Sequence, residues 1–233
     1  MADERVLVIT GASTGIGAAT ARQAAEAGYR LVLAARSEDK LTALAGELPE
    51  AIAVRCDVTE WEDQQALVQR ALDEYGRLDV AFANAGFGGP RGFGEGDPEQ
   101  WKAMVLTNVY GAALTIRATL PHLLERGDGH FLITSSVAGR RALPGSLYSA
   151  TKWAATAIGE ALRAELRQMH ENTAIKVTLI EPGMTDTDFF DNRPGKAALQ
   201  DTDIAKAVMY ALEQGPGVEI GRASCRERVC STV

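Results

Sequence analysis

The sequence predicts a single α/β domain built on a doubly wound parallel sheet, and three observations predict it. Short apolar runs rich in β-formers alternate with longer helical patterns along the chain. The runs are apolar on both faces, which suits strands covered from above and below. A chain of 233 residues is long enough for one large core and short for two. Strands are expected at RVLVIT (5–10), RLVLAA (30–35), AIAVRC (51–56), LDVAFA (78–83), HFLITS (130–135) and IKVTLI (175–180), with helices at 15–27, 37–47, 60–75, 98–125 and 147–170. Right-handed crossovers then stack the elements in three layers, α/β/α. In such a sheet ligands bind beyond the carboxyl ends of the strands, so the residues that follow each strand are those to read for function.

Composition narrows the classes. Hydrophobic residues make up 46% and charged residues 24%, as in ordinary globular proteins, and there is no repeat or low-complexity tract. A net charge of −7 argues against nucleic acid or an anionic membrane as partner, since either selects a basic face. The start MADERVLVIT lacks the basic and apolar regions of a signal peptide, and no apolar run is expected to reach the length of a membrane span, so a cytoplasmic location is expected. Cys56, Cys225 and Cys230 include no CxxC pair, which suits a reducing compartment, and His122, His130 and His170 are scattered, so no metal is expected.

After the first strand comes TGASTGIG, Thr10 to Gly17, followed by a helix pattern. Gly11, Gly15 and Gly17 let the turn tighten and the backbone approach a pyrophosphate, whose charge would meet the free N–H groups of the helix, with Ser13, Thr14 and Ile16 beside it. This is the Rossmann-type arrangement. The second strand ends with Ala35 and Arg36. An acidic residue there would accept the adenosine ribose hydroxyls, whereas arginine can clamp a 2′-phosphate, so NADP(H) is favoured over NAD(H). The third strand ends at Asp57 and Val58, which can meet an adenine or, in the case of Asp57, cap the helix beginning near Glu60. The fourth ends ANAG, putting Asn84, Ala85 and Gly86 where a cofactor would lie against the backbone.

In YSATK, Tyr148 precedes Lys152 by four residues. On a helix this stacks phenol and ammonium one turn apart, and the positive charge would lower the tyrosine pKa from its ordinary value of about 10. Such a tyrosine can act as an acid or base; the plainer alternative is a packed Tyr148 beside a solvated Lys152.

TGASTGIG, CDV, ANAG, WKAMVLTNVYG, ITSSVAG, YSATK and EPGMTDT occur in the order and spacing of the short-chain dehydrogenase/reductase family, which the chain resembles from residue 5 to about 215. The resemblance implies an NADP(H)-dependent oxidoreductase acting on a small carbonyl or secondary alcohol. Tyr148 would be its general acid/base, Ser136 the donor to the substrate oxygen, and Lys152 would lower the tyrosine pKa and bind the nicotinamide ribose. Asn108 would hold a water that connects the lysine to solvent. Ser135, beside Ser136, stays an alternative. After the sixth strand, Pro182 and Gly183 turn the chain, and Thr185 and Thr187 lie beside the cofactor. Ala83 replaces the first asparagine of the family's usual NNAG, and Thr14 stands where some NADP-preferring members carry a second basic residue, so Arg36 bears the phosphate alone. A homodimer or homotetramer through the long helices is expected. An NADP(H)-sensing regulator without catalysis is the alternative on the same fold.

The substrate side is less legible. AGFGGPRGFGEGD suggests a mobile rim, and TDTDFFDNRPGKAALQ a lid carrying Phe189 and Phe190, with Met184, Leu143 and Phe87 as further lining. Residues 1–220 are expected to form the domain. From Gly221 the sequence GRASCRERVCSTV shows no alternation able to bury a face, and EIGRASCRERV resembles the translation of a common short-read sequencing adapter. The natural frame is therefore expected to end near Val218, leaving 221–233 as an artefactual tail and the last edge strand missing or frayed.

Overall fold

Alternate residues of the first strand feed opposite faces of one sheet: Val6 and Val8 pack into one apolar cluster, Leu7 and Ile9 into the other. Such two-sided burial requires helices on both faces. The computed structural model describes residues 4–170, 173–187 and 198–226. Its elements are β1 (Val6–Thr10), α1 (Gly15–Glu26), β2 (Arg30–Ala35), α2 (Glu38–Glu47), β3 (Ala51–Arg55), α3 (Trp61–Tyr75), β4 (Val80–Ala83) and α4 (Pro98–Val105). A π-helical turn (Leu106–Gly111) leads into α5 (Ala112–Arg126), β5 (Asp128–Thr134), a 3₁₀ turn (Val137–Gly139) and α6 (Leu147–Met169). The remainder comprises β6 (Ala174–Pro182), β7 (Thr185–Asp186), β8 (Leu199–Gln200), α7 (Asp201–Leu212) and β9 (Arg222–Cys225).

The main sheet runs β3-β2-β1-β4-β5-β6-β9, parallel throughout, and β7 pairs with β8. Strand order reverses between β1 and β4, so the ligand crevice of a doubly wound sheet falls at their carboxyl ends. Residues at the stop of α3 and α5 follow the C-cap rule: Gly76 (φ 68°) and Gly127 (φ 72°) both take the left-handed conformation.

Three expectations need correction. The run Pro98–Arg126 is long and apolar enough by length and composition to cross a membrane, but half of its most apolar stretch is buried within the protein, as befits a core helix. The helix α7 has no counterpart in the sequence reading, although Gln200 and Asp203 form a capping box at its start. Finally, an edge strand is present: Arg222–Cys225 pairs with β6 from Leu179 to Pro182. Its alternation is real. Ala223 and Cys225 pack on the core, while Arg222 and Ser224 reach Glu181, a polar pairing that a hydrophobicity pattern does not register. Cys230 and residues 188–197 of the expected lid, Phe189 and Phe190 included, lie outside the described residues, while the two ends of that segment pair as β7 and β8.

Candidate active site at the carboxyl end of the sheet

Thr10, the last residue of β1 and 1% exposed, is the knot of the groove floor. Its hydroxyl donates to Phe82 O (3.3 Å) and accepts the backbone N–H groups of Asn84 (3.1 Å) and Ala85 (3.2 Å). Asn84 completes the tie, its Nδ2 donating to Thr10 O (3.1 Å) and Gly11 O (3.3 Å) and its Oδ1 accepting from Thr134 Oγ1 (3.0 Å). The tips of β1, β4 and β5 thus become one unit. Asn84 is engaged with protein on every side that these bonds describe, so it builds the floor beneath Ala85 and Gly86.

The glycine turn rests on this floor. Gly11 adopts φ +66°, and a Cβ there would lie 2.8 Å from Ala85 Cα; on Gly17 it would lie 2.3 Å from Gly11 O. Only glycine permits both approaches. Helix α1 then begins with Thr14 as N-cap, without a side-chain capping bond and without an acidic residue in its first turn. Its leading N–H groups, near Ser13, Gly15 and Ile16, are therefore left to an external anion. Thr187 comes to the same place: a Cβ on Gly15 would meet Thr187 Cγ2 at 3.2 Å. Thr185 does not open to the groove, being 5% exposed with its hydroxyl donating to Gly183 O (3.2 Å).

Farther along the edge, Arg36 is exposed at the tip of β2 and forms no ion pair with a described residue. At the tip of β3, Asp57 Oδ1 accepts from the Thr59 N–H (3.0 Å) and hydroxyl (2.8 Å), closing a local turn, while the cap of α3 is Glu60. Val58 is buried against Gly111, where a Cβ would stand 2.6 Å from Val58 Cγ2.

The proposed catalytic set is brought together. Asn108 sits on the π-helical turn, an irregularity frequent at functional sites. Its Oδ1 accepts the Phe87 N–H (3.0 Å), and Nδ2 donates to Phe87 O (2.9 Å) and Thr151 Oγ1 (3.1 Å). The amide is thus a clasp between the loop after β4 and α6, and both of its donors are engaged. Lys152, 3% exposed, donates through Nζ to Thr134 O (2.8 Å) and lies 5.6 Å from the centre of the Tyr148 ring. Asn108 Oδ1 and Lys152 Nζ border one space, since a Cβ on Gly86 would meet them at 3.0 and 3.5 Å.

Ser136 lies beside Tyr148, and its hydroxyl donates to Pro182 O (3.2 Å) and accepts the Ala138 N–H (3.1 Å). Ser135 points elsewhere: its hydroxyl meets Lys152 O (3.0 Å) and Thr156 Oγ1 (2.7 Å) inside α6. Gly183 donates its N–H to Cys225 O (2.7 Å), fixing the turn after β6.

Electrostatics correct one expectation. Burial pushes Tyr148 up to about 12, the Ser136 hydroxyl opposing this, and burial drives Lys152 down to about 8. A tyrosine lowered by its lysine is not what this chain displays by itself. The ammonium lies toward the ring, and both groups are desolvated, a condition that residue spacing cannot reveal.

The rim is less loose than its glycines suggest. Gly92 N donates to Gly145 O (2.8 Å), joining it to the loop before Tyr148, and Phe93 meets Trp101 edge-on at 5.9 Å. Phe87 and Leu143 are half-buried and Met184 is exposed. Thr10, Thr134 and Thr151 were missed in the sequence, where β-branched polar residues read as strand or helix filler.

Comparison with known proteins agrees with this layout. Residues 5–197 match the short chain dehydrogenase family. An uncharacterized oxidoreductase of Listeria monocytogenes is 37% identical over 233 residues, 93% of each chain. Among solved structures, an alcohol dehydrogenase from the archaeon Thermococcus sibiricus, complexed with 5-hydroxy-NADP, superposes with a TM-score of 0.89 at 34% identity over 97% of each chain. A 3-ketoacyl-(acyl-carrier-protein) reductase from Brucella melitensis, complexed with NADH, gives 0.88 at 27% identity, covering 96% of this chain and 97% of its own. By its motifs, its sheet and these relatives, the chain is an oxidoreductase belonging to the short-chain dehydrogenase/reductase family.

Proposed function

We propose that this oxidoreductase transfers a hydride between NADP(H) and a small carbonyl or secondary alcohol, with Tyr148 as general acid/base. The observation that carries the proposal is the placement of Ser136 beside Tyr148 with the Lys152 ammonium 5.6 Å from the ring centre, at the sheet end that also holds the uncapped start of α1. The residues present fit the dinucleotide: α1 presents free N–H groups, and the close approaches at Gly11 and Gly17 keep the backbone accessible. Gly11, Ser13, Thr14, Gly15, Ile16, Gly17 and Thr187 would hold the pyrophosphate. Asp57, Val58, Asn84, Ala85 and Gly86 would line the groove, with Pro182, Gly183 and Thr185 shaping its far wall.

When bound, the nicotinamide supplies or accepts the hydride. For reduction, Tyr148 keeps its phenolic proton at neutral pH, because burial raises its pKa, and delivers that proton to the substrate oxygen. The Ser136 hydroxyl, now held by Pro182 O, would turn to donate to the same oxygen and stabilise the charge developing there. A charged Lys152 favours the phenolate that remains. The Asn108 clasp retains one lone pair of Oδ1 for a water beside the lysine.

Arg36 has no partner among the described residues and would pair with the 2′-phosphate by charge-assisted bonds. Replacing Ala35→Asp with Arg36→Ile should move preference toward NADH by about tenfold to a hundredfold, the loss of about 1.5 to 3 kcal/mol. The decisive assay follows NADPH absorbance with a panel of aldehydes, ketones and diketones, and NADH in parallel. Equal use of the two cofactors by the parent sinks the NADP assignment, and tight NADPH binding without turnover favours the sensing regulator.

The exposed Val105, Leu106, Tyr110 and Trp153 lie on α4, the adjoining π turn and α6, which pack together. They support a homodimer or homotetramer through these helices. Light scattering of the parent and of Trp153→Glu tests this, since the charge should drive the assembly to monomer.

A further inference from the structure

Thr151, inside YSATK, is 2% exposed and bonds at once to two members of the proposed catalytic set. Its hydroxyl donates to Tyr148 O (2.8 Å), which commits its proton to α6 and leaves its lone pairs free to accept. One of them receives Asn108 Nδ2 at 3.1 Å. We propose that Thr151 is a positioning residue for the reaction proposed above: its hydroxyl couples the clasp formed by Asn108 and Phe87 to helix α6, and so holds the Asn108 amide in register with Tyr148 and Lys152.

The argument rests on hydrogen-bond supply. Asn108 is 2% exposed, so both N–H groups of its amide need protein acceptors, and these are Phe87 O and Thr151 Oγ1. Phe87 binds the amide from the loop after β4; Thr151 binds it from the helix that carries the acid/base pair. Without the hydroxyl one buried N–H loses its acceptor, and the clasp stays tied to the loop while its tie to α6 is gone. The space over Gly86 that Asn108 Oδ1 and Lys152 Nζ share would then widen or distort. Misplacement by about an ångström away from the bond being made can cost up to about a hundredfold in rate.

The test compares Thr151→Val, which keeps the shape and removes the hydroxyl, with Thr151→Ser, which keeps the hydroxyl. The expectation is a fall in kcat of about tenfold or more in the valine variant, with KM for NADPH within about twofold of the parent, and recovery of kcat in the serine variant. Amide hydrogen exchange at Phe87, whose N–H is held by Asn108 Oδ1, should be faster in the valine variant and return to the parent rate in the serine variant. If the valine variant does not fold, Thr151→Ala takes its place against the same serine rescue. A valine or alanine variant with kcat within twofold of the parent overturns the proposal, as does a folded serine variant that stays slow. If the parent itself fails to turn over NADPH, the proposed reaction fails on its own account, and Phe87 exchange decides the matter: faster exchange rescued by serine supports the coupling, and unchanged exchange overturns it.

Discussion

At the amino end of the central strands, Asp79 is 4% exposed and wholly engaged: Oδ2 accepts the Val6 N–H (2.7 Å) and Arg77 Nε (2.9 Å), and Oδ1 meets the guanidinium groups of Arg77 (2.7 Å) and Arg126 (2.9 Å). Nearby His130 bonds Thr178 Oγ1 (2.8 Å), and burial drives its pKa down to about 3. The carboxyl end of the same strands is finished with neutral hydroxyls, small residues and an uncapped helix start. The difference teaches where function resides. The amino end satisfies its charges within the chain and offers a ligand little, whereas the carboxyl end locks its backbone through Thr10, Asn84 and Thr134 and leaves donors to spare.

The contrast breaks most visibly at Asp79. Asp79→Ala removes the carboxylate on which Arg77, Arg126 and the Val6 N–H converge; the two guanidinium groups are about a third exposed and can turn to water, so the loss of these charge-assisted bonds should cost about 2–3 kcal/mol. Denaturant unfolding should register that loss, while activity per folded molecule stays within about twofold of the parent. A loss below about 1 kcal/mol would mean that the cluster does not hold this end.

Lys152 should show the opposite balance, a functional group that destabilises the fold. Its depression from 10.5 to about 8 by burial corresponds to about 3 kcal/mol. The sign follows from proton binding: between pH 8 and 10.5 the unfolded chain holds the proton and the folded one does not, so stability rises with pH across this window and is lost as the pH falls to 8. Lys152→Met should therefore gain most over the parent below pH 8 and lose that advantage toward pH 10, below the range in which Tyr148, pushed up to about 12, titrates. Unfolding curves from pH 7 to 10 that stay parallel would refute a desolvated lysine.

Tyr148→Phe sharpens the comparison from the catalytic side. Turnover should fall by about a hundredfold or more, since a proton donor is lost, while melting temperature and NADPH affinity stay near the parent because packing is retained. Retention of more than about a tenth of the parent rate would remove Tyr148 from the role of general acid.

The parts of this end legible in the sequence are those dictated by local geometry. Gly11, Gly15 and Gly17 announce a tight turn, and Tyr148 and Lys152 a shared helix face. Thr10 was not legible because its partners Asn84 and Ala85 lie more than seventy residues away and meet it only when β1 and β4 become neighbours. The π turn around Asn108 was hidden for another reason: LTNVYG continues the helical pattern on both sides, and an inserted residue leaves no break in hydrophobicity. The raised pKa of Tyr148 also escaped, since spacing reports proximity to a charge and not the loss of water.

The smallest effect is expected at the sheet's last edge, and it tests how far the functional unit extends. Deleting residues 221–233 removes β9 and, with it, the Arg222 and Ser224 contacts to Glu181, a fully buried carboxylate whose other partner is Arg140 at 3.3 Å. Because Arg140 remains, Glu181 stays paired. The loss should be about 1–2 kcal/mol, that of hydrogen bonds and an exposed strand edge, and not the larger penalty of an orphaned charge. Activity should hold within about twofold, because Ser136, Tyr148 and Lys152 bond to none of the deleted residues that are described; the nearest consequence is the freed N–H of Gly183, which now donates to Cys225 O. We expect residues 1–220 to carry the whole site on this basis. A deletion that costs more than about 3 kcal/mol, or lowers kcat tenfold, would place β9 inside the functional unit, with Glu181 depending on Arg222 more than on Arg140.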